Sequence, residues 1–328
     1  MKSLKPNCTG WGFVSGRISV LERRFLPKDF FLNIIGQENI GDIFSHLQET
    51  FLGEYLMPGA IWDDFGSLTE KCFYEIALSI RDECPSSIPV DMHTIRSDYL
   101  NLRHALVGST TFPFPTVILN QEKLRAIAGG ELEELPMPLT EDRARFINDR
   151  GGIDKDIVDI VLDGAYLKHM LMLAEELDSP MVSEYVNDRI LASLTSIFWR
   201  ALNQDIEGWR FQRYLTPLGN FTHVIDELSD MKNPEAWPSV IDGAIGDCIM
   251  RALIQSKDEQ VSFFELLVAN HLTRLIQAGK LQTAGPERVF SFIAGLNVEM
   301  QNLNLVVTGC LNRISKDTLK LKLKDCYV

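Results

Sequence analysis

Several kinds of chemistry are missing from this sequence. No G-x-x-x-x-G-K-[ST] phosphate loop occurs in its 328 residues, so the chain is not expected to bind or hydrolyse ATP. The nearest approach, Gly10-Trp-Gly12-Phe-Val-Ser-Gly16, has one residue too many for G-x-G-x-x-G and no apolar strand before it. It reads instead as a flexible stretch ahead of the first helix. The six cysteines (Cys8, Cys72, Cys84, Cys248, Cys310, Cys326) form no C-x-x-C pair and have no histidine pairs nearby. They read as reduced thiols, neither disulfides nor zinc ligands.

Long apolar runs are absent too. The longest, such as Ile157–Leu162 and Leu303–Val307, fall far short of the roughly 20 residues that span a bilayer. The N-terminal residues lack the apolar core of a signal peptide, which places the protein in the cytoplasm by expectation. Basic residues are outnumbered, 32 Lys and Arg against 45 Asp and Glu, giving a net charge of -13. That balance argues against a nucleic-acid or anionic-membrane partner. Only the C-terminal tail is basic, and Lys316, Lys320, Lys322 and Lys324 read as one solvated helix face.

What remains is helical rhythm. Phe292, Leu296, Met300, Leu303 and Val307 recur at steps of three and four, one face of an α-helix spanning Pro286–Leu311. Ile293, Leu305 and Val306 widen that face, so the helix should be mostly buried. Asn297, Asn302 and Asn304 crowd its middle, where asparagine has poor helix propensity, and imply a polar seam or a partner. Earlier helices are predicted over Arg17–Phe31, with Pro27 ending that helix or starting the next, over Asn39–Leu52 and over Ser67–Asp82, the last with a Ser67/Glu70 capping box. Pro85-Ser-Ser-Ile-Pro89 turns into the helix carrying Asp98–Arg103. Further helices are predicted near Glu122–Ala128, Glu141–Arg150, Asp154–Glu176, Ser179–Leu202, Asp205–Tyr214, Asn220–Asp230, Ser239–Ser256, Val261–Ala278 and Ser315–Asp325. Only Thr116–Leu119 has any strand character. The fold class is all-α.

The polar helix pattern occurs three times. Asp98, Thr195 and Glu299 align, then Asn101, Phe198 and Asn302, then Arg103, Arg200 and Asn304, at intervals of 97 and 104 residues. Each copy follows a helix bearing aromatics: Phe73-Tyr74, Tyr166 and Phe263-Phe264. A near-fixed period signals a repeated structural unit. The expected organisation is a first repeat over 1–108, a linker over 109–139 rich in Pro and Gly, a second repeat over 140–205 and a third over 206–328.

Catalytic patterns are weak. His223 with Asp226 and Glu227 lacks a second histidine at ligand spacing. Asp91, His93 and His104 flank the first repeat helix without a nucleophile, and Asp63-Asp64 beside Trp62 reads as a solvated turn. No catalytic residue, cofactor site or metal site is assigned. The repeated polar residues have two readings. Asp98, Asn101, Arg103, Arg200, Glu299 and Asn302 either satisfy one another between packed helices or line a surface that grips a partner.

Three stretches carry a resemblance to a known family. They are Gly16-Arg17-Ile-Ser-Val-Leu-Glu22-Arg-Arg-Phe-Leu26, Asp98-Tyr-Leu-Asn101-Leu-Arg103, and the last 44 residues with Glu299-Met-Gln-Asn302-Leu and Leu323-Lys-Asp-Cys-Tyr-Val328. In these the chain resembles the C subunit of the archaeal and bacterial V-type ATPases, the counterpart of the d subunit of the vacuolar enzyme. It departs from the family pattern at Asn297, where an acid is usual, and at Asn304, where an arginine is usual. The resemblance implies three helical bundles around an approximate threefold axis, forming a funnel. It implies a non-catalytic central-stalk socket between the rotor shaft and the membrane proteolipid ring, held at the membrane through the complex. Arg17 and Glu22 join the repeat residues as candidate partner-binding positions. The competing reading is a free-standing helical adaptor, although solenoid repeats run at about 30 to 47 residues; an enzyme is a distant third.

Overall fold

The computed structural model describes residues 8–56, 64–140, 147, 154–155, 157–215 and 218–328. Among them the regular structure is entirely helical, with no strand. The helices are α1 (Gly12–Leu21), α2 (Lys28–Gly36), α3 (Ile40–Gln48), α4 (Phe65–Arg81), α5 (Ile88–Leu106), α6 (Gln121–Ala128) and α7 (Val158–Leu177). They continue as α8 (Pro180–Asn203), α9 (Trp209–Tyr214), α10 (Thr222–Asp230), α11 (Gly243–Ala252), α12 (Lys257–Lys280), α13 (Pro286–Leu311) and α14 (Lys316–Lys322).

Packing gathers the chain into two compact units, Met1–Val90 with Ala269–Val328, and Asp91–Val268. The first joins the two ends of the chain around α13. Gly285, at φ 140, admits Pro286 as the first helical residue, where a missing N–H costs nothing. The predicted apolar face is buried, with Phe292, Leu296, Met300, Leu303 and Val307 all inside the core. Helices α1, α2, α3, α4 and α14 pack against it. Phe25 stacks on Phe292 with ring centroids 5.4 Å apart, and Tyr327 meets Phe25 edge-on at the same distance.

The second unit contains the α7–α8 hairpin. Asp178 ends α7 in a left-handed conformation, and Ser179 caps α8 by accepting from the Val182 N–H. Its core gathers Phe198, Trp199, Trp237 and Phe264. Trp199 packs on Trp237 and Phe264 at 5.5 and 5.6 Å.

Several local expectations need correction. The helical stretch Arg17–Phe31 parts at Phe25–Pro27, at the proline expected to end one helix or start the next, and Pro27 sets an extended entry to α2. Gly12 and Gly16 are not a flexible lead; they lie in α1 on its exposed face, while Trp11, Val14 and Ile18 anchor the other side. Ser67 does not cap, since α4 begins two residues earlier at Phe65. Thr116–Leu119 is not a strand; Val117 and Ile118 donate their N–H groups to the Asp98 side chain. Lys324 lies beyond α14 and reaches Gln301, so the four tail lysines do not share one helix face. The helix predicted over Glu141–Arg150 and the turn at Trp62-Asp63 lie outside the described residues.

Gly295 shows how tightly the C-terminal residues close onto α13. A Cβ there would stand 2.5 Å from Tyr327 Cγ. Gly295→Ala is expected to push Tyr327 off the helix and cost about 1–3 kcal/mol. Urea or thermal unfolding checks this; an unchanged midpoint would show that the tail is not packed as described.

Candidate partner interface and its buried supports

The predicted repeat helices are α5, α8 and α13, and their aligned positions can be compared directly. In α5, Asn101 donates to the Phe114 carbonyl at 2.9 Å and accepts from the Phe114 N–H at 3.2 Å. In α13, Asn302 makes the same pair with Lys324, both bonds at 3.1 Å. A side-chain amide carries one donor group and one acceptor, so it can pair with both the N–H and the carbonyl of a single residue. The acid one turn earlier plays a related part. Asp98 accepts from Val117 N–H at 3.0 Å and Ile118 N–H at 2.8 Å. Glu299 accepts from Leu26 N–H at 2.7 Å.

The middle helix has neither anchor. Thr195 donates to the Leu191 carbonyl within α8, and Phe198 packs on Phe211 at 5.3 Å. Here aromatic burial stands where backbone hydrogen bonds hold the other two helices.

The third position faces water. Arg103 pairs with Asp159 of α7 at 2.6 Å, and both side chains remain 57% exposed. Arg200 pairs with Glu265 of α12 at 2.6 Å, with exposures of 61% and 40%. Asn304 is exposed and accepts from Thr308. Of the two remaining candidates, Arg17 is half-buried against Glu83, 2.5 Å away, and the Ser79 carbonyl. Glu22 is buried in an ion pair with Arg288, which also donates to the Lys280 carbonyl, while Tyr327 donates to Glu22 at 2.9 Å.

Thus Asp98, Asn101, Glu299, Asn302 and Glu22 are held in internal bonds, and Arg17, Arg103 and Arg200 reach solvent. Sequence reasoning passed over Arg288 and Tyr327, the two partners of Glu22, and Asn270, which accepts from the Asp325 N–H at 2.8 Å. Arg288 had a signal: a lone basic charge two residues inside a helix whose neighbouring positions are nearly all apolar.

Each of these helices also lies on an aromatic-bearing helix. Tyr99 of α5 donates to the Ala165 carbonyl of α7 and meets the Tyr166 ring edge-on at 5.7 Å. Trp199 of α8 packs on Phe264 of α12. Helix α13 packs along α4, which bears Phe73 and Tyr74.

Burial decides the electrostatics. The Glu299 carboxyl is pushed up to about 8 by loss of solvent, against the pull of the Leu26 N–H, and its Oε1 is buried with no hydrogen-bond partner among the described residues. Asp98 is also raised by burial, opposed by the N–H groups of the segment it holds. Burial and then the Glu22 charge raise the Tyr327 phenol. Among the described residues no group of three or more His, Cys, Asp or Glu is placed to hold a metal ion, and no helix is long and apolar enough to cross a membrane.

The class these features define is an all-helical protein whose long helices carry structural polar anchors inside and charged pairs outside. The chain belongs to the ATP synthase (C/AC39) subunit family, which matches residues 14–321. It is similar to the C subunit of the V-type sodium ATPase of Enterococcus hirae, with 20% identity over 320 residues covering 93% of this chain and 95% of that protein.

Two substitutions test the anchors. Glu299 has an ordinary carboxyl value near 4.5 when unfolded and about 8 when folded. Between those values the unfolded chain is ionised and the folded one is not, so stability falls as pH rises. Glu299→Gln is expected to abolish that slope, raising the melting temperature relative to wild type at pH 8 but not at pH 5. Parallel wild-type and variant pH profiles would contradict the burial argument. Asn302→Ala should cost about 1–3 kcal/mol by orphaning the Lys324 N–H and carbonyl, whereas Arg200→Ala should cost under about 1 kcal/mol. Chemical denaturation of the two variants reads the difference.

Proposed function

We propose that this protein is the non-catalytic coupler of a V-type ATPase, a socket that joins the rotor shaft to the membrane proteolipid ring. Membership of the family over nearly the whole chain supports the assignment to such a complex. The similar Enterococcus hirae protein is a subunit of a V-type sodium ATPase. The observation that carries the finer reading is the cyclic order of helix partners, α5 on α7, α8 on α12 and α13 on α4. A three-membered cyclic order is what three repeats closing around an axis require. It favours a funnel over an open adaptor, whose first and last repeats would have no such relation.

A coupler transmits torque and needs stiffness more than reactivity. Stiffness comes from the buried anchors, Asp98, Asn101, Glu299 and Asn302, which fix irregular segments onto helices. Gripping falls to the exposed charges, Arg103 and Arg200 with Asp159 and Glu265, together with half-buried Arg17.

Loss of this chain is expected to leave ATP hydrolysis by the catalytic head intact while ending ATP-driven ion transport in membrane vesicles. Vesicles that still pump normally without it would refute the coupler role. Arg103→Glu combined with Arg200→Glu is expected to weaken binding to the purified shaft subunits about tenfold, with a melting temperature within a few degrees of wild type. Unchanged binding would remove both arginines from the interface.

A further inference from the structure

Arg189, in the first half of α8, is half-buried and has no carboxylate within ion-pair distance among the described residues. Its two contacts are phenols. Nη1 donates to the Tyr185 hydroxyl and Nη2 to the Tyr166 hydroxyl, each at 3.4 Å. Both distances exceed the roughly 2.7–3.2 Å of an ordinary N–H···O bond, so most of this five-donor group is unspent. Elsewhere inward arginines are given a counter-charge: Arg288 has Glu22 and Arg17 has Glu83. A guanidinium drawn out of water without one is costly.

The surroundings supply more donors and no acid for Arg189. Tyr166 of α7 and Tyr185 of α8 are both buried. The Tyr166 oxygen accepts from Arg189, and its own O–H has no acceptor among the described residues. A buried phenol normally donates to something. A second guanidinium approaches the same ring from α5: Arg96 is exposed, with its central carbon 6.0 Å from the Tyr166 ring centroid. Two like charges on two helices thus meet one phenol on a third, all within the second unit. Asp163, one turn earlier on α7, stands in the field of Arg96, Arg103 and Arg200. It offsets part of the Arg96 charge and leaves Arg189 uncompensated.

We infer that Arg189 and Tyr166, with Arg96 beside them, form a binding site for a small tetrahedral oxyanion of the phosphate class. Arg189 supplies the N–H fork, Tyr166 one O–H donor and Arg96 a second positive charge. Phosphate presents acceptor oxygens in several directions, which suits donors arriving from three helices, whereas a carboxylate presents both of its oxygens in one plane. Nothing in this inference depends on the coupler role.

The test titrates the full-length protein with inorganic phosphate at neutral pH, against sodium chloride of equal ionic strength, and reads binding by calorimetry and thermal melting. The wild-type protein is expected to bind phosphate saturably in the millimolar range, with a melting temperature that rises as the site fills. Tyr166→Phe keeps the ring and removes one donor, and should weaken binding about tenfold. Arg189→Gln should abolish it, and Arg96→Gln, at the exposed edge, should weaken it about threefold. Circular dichroism without phosphate checks that each variant is folded; if Arg189→Gln is not, Tyr166→Phe decides alone. A parallel titration with acetate separates phosphate from carboxylate. No saturable binding by the wild-type protein, or binding unchanged in Tyr166→Phe, would overturn the site. Acetate binding as tightly as phosphate would overturn the phosphate class.

Discussion

A helix buried on nearly every side must bring its polar groups into the core with partners, and α13 is under that constraint along most of its length. Arg288, Glu299 and Asn302 are all buried on it. Each is bonded to residues from the far ends of the sequence: Arg288 to Glu22, one oxygen of Glu299 to the Leu26 N–H, and Asn302 to Lys324. Leaving any of them unpaired would cost several times what a surface contact contributes. The N-terminal segment and the C-terminal tail are therefore held to α13 by necessity. The aromatic stack of Phe25, Phe292 and Tyr327 closes over the same region.

The same device works in α5 with the segment that follows it. There Asp98 and Asn101 hold residues 114–118, so a Pro-rich stretch without regular structure is nonetheless fixed in place. Fixing loops by side-chain amides and carboxylates avoids building a sheet in an all-helical protein. It also stiffens the connections, where an ordinary helical bundle is softest. The middle helix, α8, uses aromatic packing at the corresponding position, where Phe198 is buried against Phe211.

Glu299 stands out among these anchors. It is a carboxyl whose burial favours the neutral acid near neutral pH, with one oxygen bonded and the other bare. Glutamine would fill nearly the same shape without the pH dependence. The residue therefore makes the stability of the first unit sensitive to pH across the physiological range. Asp98, at the aligned position, accepts two backbone bonds where Glu299 accepts one, which offsets more of the cost of burial.

The sequence by itself determined the helical class, the span of α13 to the residue, and the polar positions inside its buried face. Helical periodicity and proline and glycine at helix ends are local signals, set within a few turns of chain. It also singled out Asn302, because asparagine inside a buried helix needs a reason, and Asn101 as its counterpart in the repeated pattern. Only the tertiary structure decided what that reason was. A polar residue on a buried face looks the same in sequence whether it meets a partner protein or its own backbone 22 residues away. The pairing of Glu22 with Arg288 spans most of the chain, and nothing local to either residue specifies the other. The break before α2 is local, set by Pro27, but what holds Phe25 and Leu26 there, Phe292 and Glu299 of α13, is not. Helix type is written in neighbours along the chain, whereas the partner of each buried polar group is fixed only when distant segments pack.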